Sequence, residues 1–453
     1  MEKLDFDGKT VNKSNKKWLF DFCLHICLYA LINVSLYNKN SFLMSFAVIL
    51  TLIYCLFADQ ESSFAIIVGL SIYEGSFRFF GNSAILFVLA VFVVKFVLSN
   101  RLTLKISVSS AIAFFSILLL EILGDFFTVE ISQFLIILMY IVFFVCVMCN
   151  IEKMNFNVLH IFCSFFASFL LSVVYVFSTY GGVADFLDEF LSVSWAYRFA
   201  LEEGVSTGGA MAMPLYALMI ISIAITMLLV RKNTVTTKML FVFALMVSVT
   251  IGFLTVSRSF LLGLVPILIC ALFVLATKSP TKTIVILIII ALLLSILIIA
   301  FPELVNKIYE NFFNRIDADE TGGGRLLIWN TCFEYLFEHP LRLIVGCGAA
   351  NYPSLGEGMG AFDMSAGAHN LLIDIFMSWG ILGLISILVL VFYALALIKC
   401  KNKNVKFVHY IPFMAYVAFS MTALGTTGFR TWIFLLLCII SVDYFGRKEN
   451  YDT

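Results

Sequence analysis

The segment TIVILIIIALLLSILIIAF at residues 283–301 contains no charged side chain, and it is as long as a membrane span. A helix that crosses the hydrocarbon core of a bilayer needs roughly 20 apolar residues. Similar runs recur along the 453-residue chain, which is 62% hydrophobic and only 13% charged. A soluble protein has too little interior to bury that share of apolar side chains. We therefore predict an all-α polytopic integral membrane protein.

The apolar runs predict about fourteen transmembrane helices and two long polar loops. The spans are expected at 18–37, 41–57, 63–75, 83–99, 106–123, 130–149, 157–178, 213–230, 239–256, 259–276, 283–301, 369–398, 407–425 and 430–446. The chain then divides into an N-terminal tail (1–17), N-terminal helices (18–178), a loop (179–212), central helices (213–301), a large loop (302–368), C-terminal helices (369–446) and a C-terminal tail (447–453).

Basic residues cluster at alternate junctions between these spans. The main clusters are Lys9, Lys13, Lys16 and Lys17; Arg231, Lys232 and Lys238; Lys278 and Lys282; and Lys399, Lys401, Lys403 and Lys406. With fourteen spans all of them fall on one side, which the positive-inside rule makes cytoplasmic. We predict cytoplasmic termini and two outward-facing long loops. The 29 basic and 29 acidic side chains balance, so the net charge says nothing about nucleic-acid partners, and we expect none.

The large loop contains three glycines followed by Arg325, in the stretch GGGRLLIWN at 322–330. Apolar residues then recur with a helical period, so we predict an amphipathic helix on the membrane surface that ends at His339-Pro340. We place Arg325 on its polar side, opposite Trp329. Backbone N–H groups at a helix N-terminus and a guanidinium together suit a diphosphate. The alternative is an interfacial helix whose arginine reaches lipid headgroups.

His369 lies where the chain returns to apolar sequence, in GAHNLLIDIF. Imidazole accepts a proton near neutral pH, and an attacking sugar hydroxyl must lose one. Asn370 is placed to orient the sugar or His369, and Asp374 lies one helical turn further on. The alternative for His369 is a helix cap or a headgroup contact. His339 is a weaker candidate, since His-Pro is common at helix ends.

Three further arginines are predicted at the outer face: Arg198, Arg258 and Arg430. Arg258 stands between two apolar runs with almost no polar linker, and a charge inside the bilayer costs roughly 2.5–3.5 kcal/mol or more. It must therefore meet water, an anion or a carboxylate. Arginines from separate segments that face one side predict a shared anion site. Glu74 is expected to pair locally with Arg78, one helical turn away.

The cysteines and acidic residues indicate no metal site. Most of the 11 cysteines lie in apolar runs, where a thiol acts as a small hydrophobe. Cys332 and Cys347 lie in the large loop; we favour two thiols, with a disulfide as the alternative. No CxxC or CxxH spacing suggests a metal, because the CxxC of Cys146 and Cys149 lies inside an apolar run, and Asp317 and Asp319 are interpreted as a solvated loop start. We expect neither a metal nor another cofactor.

The motifs of the large loop and of the following span resemble the O-antigen ligase/polymerase family of bacterial envelope enzymes. The residues that carry the resemblance are Arg325 and Trp329, His339-Pro340-Leu341, Gly346 and Gly348, His369-Asn370, and Gly380 and Gly383. SRS at 257–259 resembles the arginine-bearing junction that precedes the large loop in these proteins. Arg198 with Gly209 eleven residues on resembles a pattern of O-antigen polymerases. The resemblance covers roughly residues 250–440.

This resemblance implies a GT-C-like glycosyltransferase of the bacterial inner membrane whose active site faces the periplasm. As an O-antigen polymerase it would join undecaprenyl-diphosphate-linked oligosaccharides, donor and acceptor, without a nucleotide sugar, and a chain-length regulator is an expected partner. His369 and Arg325 are then the catalytic residues. The predicted diphosphate ligands are Arg198, Arg258, Arg325 and Arg430. The predicted sugar-binding or orienting residues are Trp329, His339, Asn370 and Asp374.

Two other functions stay open. An O-antigen ligase would transfer finished glycan to lipid A-core, and the motifs do not separate it cleanly from a polymerase. A flippase or transporter of the same lipid would have charges near the bilayer midplane and two related halves. The first half of this chain has few charges within its spans, with Asp21, Lys95 and Glu121 near the ends of runs, and no repeated halves are evident. We favour the polymerase.

Overall fold

The computed structural model describes residues 9–79, 82–99, 107–125, 131–151, 156–192, 209–230, 233–317, 325–349, 351, 368–426 and 428–448. The helices are α1 (Lys9–Tyr37), α2 (Ser41–Phe57), α3 (Gln60–Leu70), α4 (Ala84–Ser99), α5 (Val108–Asp125), α6 (Ile131–Cys149), α7 (Val158–Thr179), α8 (Val183–Ser192), α9 (Gly209–Val230), α10 (Val235–Leu254), α11 (Arg258–Lys278), α12 (Pro280–Ala300), α13 (Pro302–Asp317), α14 (Arg325–Glu338), α15 (Pro340–Val345), α16 (Leu371–Lys401), α17 (Ile411–Ala423) and α18 (Phe429–Lys448). Two 3₁₀ turns (Ser71–Tyr73 and Phe407–Tyr410) and an antiparallel ribbon of β1 (Arg78–Phe79) and β2 (Asn82–Ser83) complete the described part.

Each of the fourteen predicted apolar runs coincides with a helix. Within the described residues, seven helices are long and apolar enough to cross a membrane: α1, α7, α9, α10, α11, α16 and α18. Shorter apolar helical segments lie in α2, α4, α5, α6 and at α17. The all-α membrane architecture is therefore confirmed, whereas the number of fourteen spans and their orientation stay predictions.

α3 is too short to cross a bilayer. It has 11 residues, about 16 Å at a rise of 1.5 Å per residue, against a hydrocarbon core of roughly 30 Å. Its residues from Ser62 to Leu70 are all buried, and the helix packs on α4 and α7. The run predicted as a span at 63–75 is thus mainly a short buried helix. A 3₁₀ turn follows this helix and ends just before Glu74.

α18 lies at the centre of the bundle. Its residues are almost all buried, and it contacts α6, α7, α9 and α17. The ring of Phe434, for example, packs 5.4 Å from the ring of Phe165 on α7 and 5.7 Å from that of Tyr216 on α9. Because α18 is so enclosed, Arg430 in its first turn is carried into the protein interior.

α16 consists of two helices that meet at Gly380, where φ is 63° and ψ is −163°. The first piece, 371–379, packs against α14 and α15, and the second, 381–401, packs along α5. At 1.5 Å per residue the second piece is about 30 Å long, which is enough to cross the bilayer alone. The run predicted as one span at 369–398 thus contains a short helix followed by a helix long enough to cross the bilayer.

Candidate functional site

α14 packs one side onto the first piece of α16. The buried residues of α14 are Ile328, Cys332 and Leu336. Beside them, the indole Nε1 of Trp329 donates a hydrogen bond to the carbonyl oxygen of Ala368 over 2.9 Å. This bond fixes the beginning of α14 next to His369.

Arg325 lies on the buried side of α14, so its predicted position opposite Trp329 is wrong. Residues four apart on a helix are separated by one turn plus about 40°, so Arg325 and Trp329 share a face. Arg325 is half-buried as the first residue of α14. Its guanidinium is therefore directed toward the same side of the helix that meets the start of α16.

His369 occupies a turn that the surrounding residues hold in place. Its φ of 53° lies in the left-handed region, which a side chain other than glycine rarely adopts. On one side the N–H of Ala368 donates to Asp374 Oδ1 over 2.9 Å. On the other, Asn370 Oδ1 accepts from two backbone N–H groups in the first turn of α16, at 3.0 and 3.3 Å. Asn370 and Asp374, both buried, thus orient the histidine through its backbone.

The electrostatic environment keeps His369 neutral. Burial lowers the pKa of His369 below its usual 6.5, and the positive charge of Arg325 lowers this pKa further. The two predicted catalytic residues therefore lie within electrostatic range of each other. A neutral imidazole at pH 7 is the form that accepts a proton.

The GCG turn at 346–348 docks against the break in α16. The two backbone N–H groups that follow Gly346 donate to the carbonyl oxygens of Met377 and Ser378, each over 2.8 Å. These carbonyls can accept from the turn because the break at Gly380 interrupts the helical ladder. A side chain at Gly346 (φ 77°) or Gly380 (φ 63°) would overlap the facing backbone. The two glycine motifs thus form one structural unit.

A carboxylate that the sequence did not single out for function anchors this unit. Glu121 in α5 is fully buried, and its Oε2 accepts from Trp379 Nε1 over 2.6 Å and from the backbone N–H of Ala349 over 3.0 Å. A buried carboxylate is costly unless it receives such bonds. The sequence signal that could have indicated this role is an acidic residue inside the apolar run that forms α5.

Arg258 lies at the end of the bundle that carries the histidine turn, which we call the site end. As the first residue of α11 it precedes Ser259, whose hydroxyl donates to the carbonyl oxygen of Thr422 at the end of α17 over 3.3 Å. Three residues on, Gly425 abuts the carboxylate of Asp374. This series of contacts joins the start of α11 to the start of α16.

Arg430 is bound within the protein by Glu74. Its Nε lies 3.2 Å from Glu74 Oε2, and its guanidinium lies over the ring of Tyr216, 5.9 Å from the centroid. The predicted pairing of Glu74 with Arg78 is wrong, because the helix ends before Glu74 and the two residues share no helical face. Arg78 instead donates to the carbonyl oxygen of Gly75. The predicted role of Arg430 as a diphosphate ligand stays a prediction.

Arg198 lies outside the described residues, and its predicted role likewise stays a prediction. His339 is exposed at the opposite end of α14 from Arg325, about 20 Å along the helix axis. Its ring stacks on that of Tyr335 with the centroids 4.5 Å apart. The structure therefore brings His369, Arg325, Trp329, Asn370 and Asp374 together and separates His339 from Arg325.

Both loop cysteines are buried thiols. Cys332 packs under α14, and the thiol of Cys347 donates to the hydroxyl of Tyr335 over 3.9 Å. In the part of the chain that the structure describes, no three His, Cys, Asp or Glu side chains are grouped so as to hold a metal ion.

Comparison with known proteins identifies the segment that carries this site. Residues 241–388 match the model of a family described as O-Antigen ligase, and no match was found among curated proteins. The matched segment runs from α10 into the second piece of α16, so it includes Arg258, Arg325, the GCG turn and His369. Members of this family are glycosyltransferase-like enzymes of lipopolysaccharide synthesis. Through this segment, the chain is similar to the O-antigen ligase/polymerase family.

Proposed function

We propose that the protein is an O-antigen polymerase, which joins undecaprenyl-diphosphate-linked oligosaccharide repeats at the periplasmic face of the bacterial inner membrane. The growing glycan passes from its lipid diphosphate to the non-reducing-end hydroxyl of a new lipid-linked repeat. The proposal rests on one observation: the hydrogen bond from Trp329 to the carbonyl oxygen of Ala368 holds the beginning of α14, with Arg325, next to His369 at the beginning of α16.

In the proposed reaction the acceptor hydroxyl oxygen attacks the anomeric carbon of the donor sugar. The bond between that carbon and the diphosphate oxygen breaks, and its electron pair leaves with the lipid diphosphate. The hydroxyl proton passes to His369, whose lowered pKa keeps it unprotonated before the step. A positioned general base of this kind typically contributes about 10²–10⁴-fold to the rate.

Arg325 is proposed to bind the departing diphosphate. It is the first residue of α14, where its guanidinium and the positive end of the helix dipole both favour an anion. Negative charge grows on the diphosphate as the bond breaks, so these contacts strengthen in the transition state and lower the barrier. Arg258, at the same end of the bundle, is proposed as a second ligand, with Arg198 and Arg430 as further ones.

The other predicted site residues are assigned supporting roles. Asn370 and Asp374 hold the backbone on either side of His369, so we propose that they orient the base. Trp329 ties α14 to the histidine turn and leaves part of its indole exposed, where a sugar ring can stack. A separate protein that governs chain length is expected to act with the polymerase.

Reconstitution tests the proposal directly. The purified protein in liposomes, given synthetic undecaprenyl-diphosphate-linked repeats as both donor and acceptor, is expected to produce a ladder of longer lipid-linked glycans without another protein. The His369→Ala variant in the same liposomes should leave single repeats. Movement of the lipid across the bilayer without any lengthening would instead identify a transporter and overturn the proposal.

An O-antigen ligase is the second candidate, because the matched family model is described by that name. The product of a strain that lacks the protein separates the two functions. Loss of a polymerase leaves single repeats attached to lipid A-core, whereas loss of a ligase leaves bare core. Bare core in the deleted strain would identify a ligase. The proposed roles of Arg325 and His369 would then apply to a reaction in which lipid A-core is the acceptor.

A further inference from the structure

A groove runs between α5 and the second piece of α16. Its volume is about 400 Å³, within the range of ligand pockets in proteins, roughly 300–1,000 Å³. Small side chains form its floor, among them Ala113 and Ser116 on α5 and Ser386 on α16. Larger apolar side chains form its rims, and two of them, Leu119 and Ile385, are 56% and 52% exposed. The groove is therefore a narrow apolar channel that opens sideways into the bilayer.

One end of the groove touches the structure that supports the site. The groove ends at Leu120 and Leu382, and Leu120 directly precedes Glu121, the anchor of the GCG turn. A Cβ placed at Gly383 would lie 3.8 Å from Leu120 and against Trp379, so the helices approach closely here. Only the first piece of α16, about 13 Å long, separates this end from the histidine turn.

The position and shape of the groove suit one kind of occupant. We propose that it holds the polyisoprenyl chain of the lipid-linked donor whose diphosphate lies at Arg325 and His369. The inference rests on the proposed function, because it requires a lipid diphosphate at that site. From Ser109 to Leu120 the groove follows α5 for about 17 Å, roughly half the hydrocarbon core. A single branched chain fills such a channel, whereas a two-chain phospholipid leaves one chain outside.

Filling the groove tests the proposal. Ser116→Phe places an aromatic ring on the groove floor, and Ser295→Phe makes the same change on an exposed face of α12, away from the groove. Chain-extension rates are measured with donors that carry an undecaprenyl chain or a two-isoprene chain. The ratio of the rate with the undecaprenyl donor to the rate with the two-isoprene donor is expected to fall about tenfold in Ser116→Phe, or ~1.4 kcal/mol. The rate with the two-isoprene donor should be unchanged. Ser295→Phe should match the wild type.

Equal long-chain preference in wild type and Ser116→Phe would overturn the proposal. Loss of both rates together would also count against it, provided that thermal unfolding shows Ser116→Phe to be folded. A variant that does not fold is replaced by Ser109→Phe, at the other end of the groove.

Photo-crosslinking tests occupancy without turnover. Wild-type protein in nanodiscs is irradiated with polyisoprenyl diphosphate that carries a diazirine in its chain, and labelled peptides are mapped. Labels are expected on α5 and α16, at residues such as Ile112 and Leu382. Labels elsewhere, or equal displacement by bilayer phospholipid, would overturn the assignment. Labels in the groove of a protein that does not lengthen glycans would support the groove as a lipid site and refute the polymerase function. Lengthening of glycans without labels in the groove would support the polymerase function and refute the groove.

Discussion

Two regions of this molecule bury polar side chains among apolar helices by different means. In the N-terminal bundle, His25 on α1 is hydrogen-bonded to Tyr54 on α2 and to Ser164 on α7, each over 2.8 Å. The Ser164 hydroxyl lies 2.8 Å from that of Tyr29, and Tyr54 donates to Asp21 over 3.3 Å. All of these side chains project from regular helices and bind one another.

Around His369 the backbone itself is irregular. The histidine has a positive φ, the GCG turn donates backbone N–H groups to α16, and α16 breaks at Gly380. Strained residues of this kind cost about 1–3 kcal/mol each and persist where the surroundings enforce them, which is characteristic of functional sites. The N-terminal network thus supports a scaffold, whereas the second region uses the energy of packing to hold the backbone of a candidate catalytic residue in a strained conformation. Five measurements test this distinction.

Removal of either catalytic candidate should have the largest effect on the reaction. His369→Ala is expected to lower the rate of chain extension by about 10²-fold or more, and Arg325→Ala to abolish long chains, while both proteins insert and unfold as the wild type does. Arg325→Lys should restore little activity, because an ammonium cannot make the bidentate contact of a guanidinium. Wild-type glycan ladders from either alanine variant would refute the site assignment.

A side chain at the helix break should cost the most stability. Gly380→Ala introduces a Cβ that overlaps the backbone around Ile344 and strains a positive φ, with an expected loss of about 2–4 kcal/mol. Gly428→Ala is the control, since its Cβ would meet nothing nearer than the Thr431 hydroxyl at 3.9 Å. Thermal unfolding compares the two. Equal melting temperatures would show that the break does not depend on glycine.

Loss of Glu121, which anchors the GCG turn, should have the next largest effect on stability. Glu121→Ala leaves the Trp379 indole and the Ala349 N–H without an acceptor, at a cost of about 1–3 kcal/mol for each buried donor. Glu121→Gln keeps one acceptor oxygen and should lose less. Denaturant unfolding gives the stabilities, and a shift in tryptophan emission reports the indole. Identical stability of wild type and Glu121→Ala would show that α5 does not hold the turn.

The pH dependence of the rate should depend on His369 and its neighbour. Because the pKa of His369 is lowered, the neutral form persists as the pH falls through 6.5, and the rate should decline only below that value. The stability of the protein should change with pH in the same direction as the rate. Neutral His369 contributes to stability above the pKa that it has in the unfolded chain, and this contribution is lost as the pH falls through its lower pKa in the folded protein. Removal of the positive charge in Arg325→Gln should raise the pKa of His369.

Isotope-edited NMR of the histidine ring measures this titration in both proteins. Arg325→Lys, which keeps the charge, is the control and should titrate near the wild type. A lower pKa in Arg325→Gln than in the wild type would contradict the placement of Arg325 beside His369.

The smallest effect on the rate is expected in the N-terminal network. Ser164→Ala removes the partner of His25 and Tyr29 and should lower the free energy of unfolding by about 1–2 kcal/mol. At a temperature where the variant is folded, its rate of chain extension should equal that of the wild type. A tenfold slower rate without a change in melting temperature would show that this network takes part in the reaction.

Much of the architecture could be predicted from the chain. Each apolar run is a helix, and α14 begins at Arg325 and ends before His339-Pro340, because helix boundaries follow local signals. The assignment of Arg325 to the polar side of α14 failed, although the helical period already put it on the face of Trp329. The pairing of Glu74 failed because it assumed a helix that ends before this residue.

Other features of the structure are only weakly indicated by the sequence. The glycines of WGILG hint at the break in α16 but do not say which segment fills it. The acidic residue in α5 gives no indication that its carboxylate binds a turn 228 positions later. The strained φ of His369 is likewise invisible, since it goes with hydrogen bonds that Asp374 and Asn370 make to the backbone on either side of it.

Hydropathy, helical period and motif chemistry were enough to specify a helical membrane protein and to single out an arginine and a histidine as its candidate reactive pair. These are local properties, set within one span or one helical turn. The partners of Glu121, Arg430 and His369 depended on how distant helices pack. The contacts of Glu121 and Arg430 join residues hundreds of positions apart, and many side chains fix their geometry together, so no single stretch of the chain contains the information.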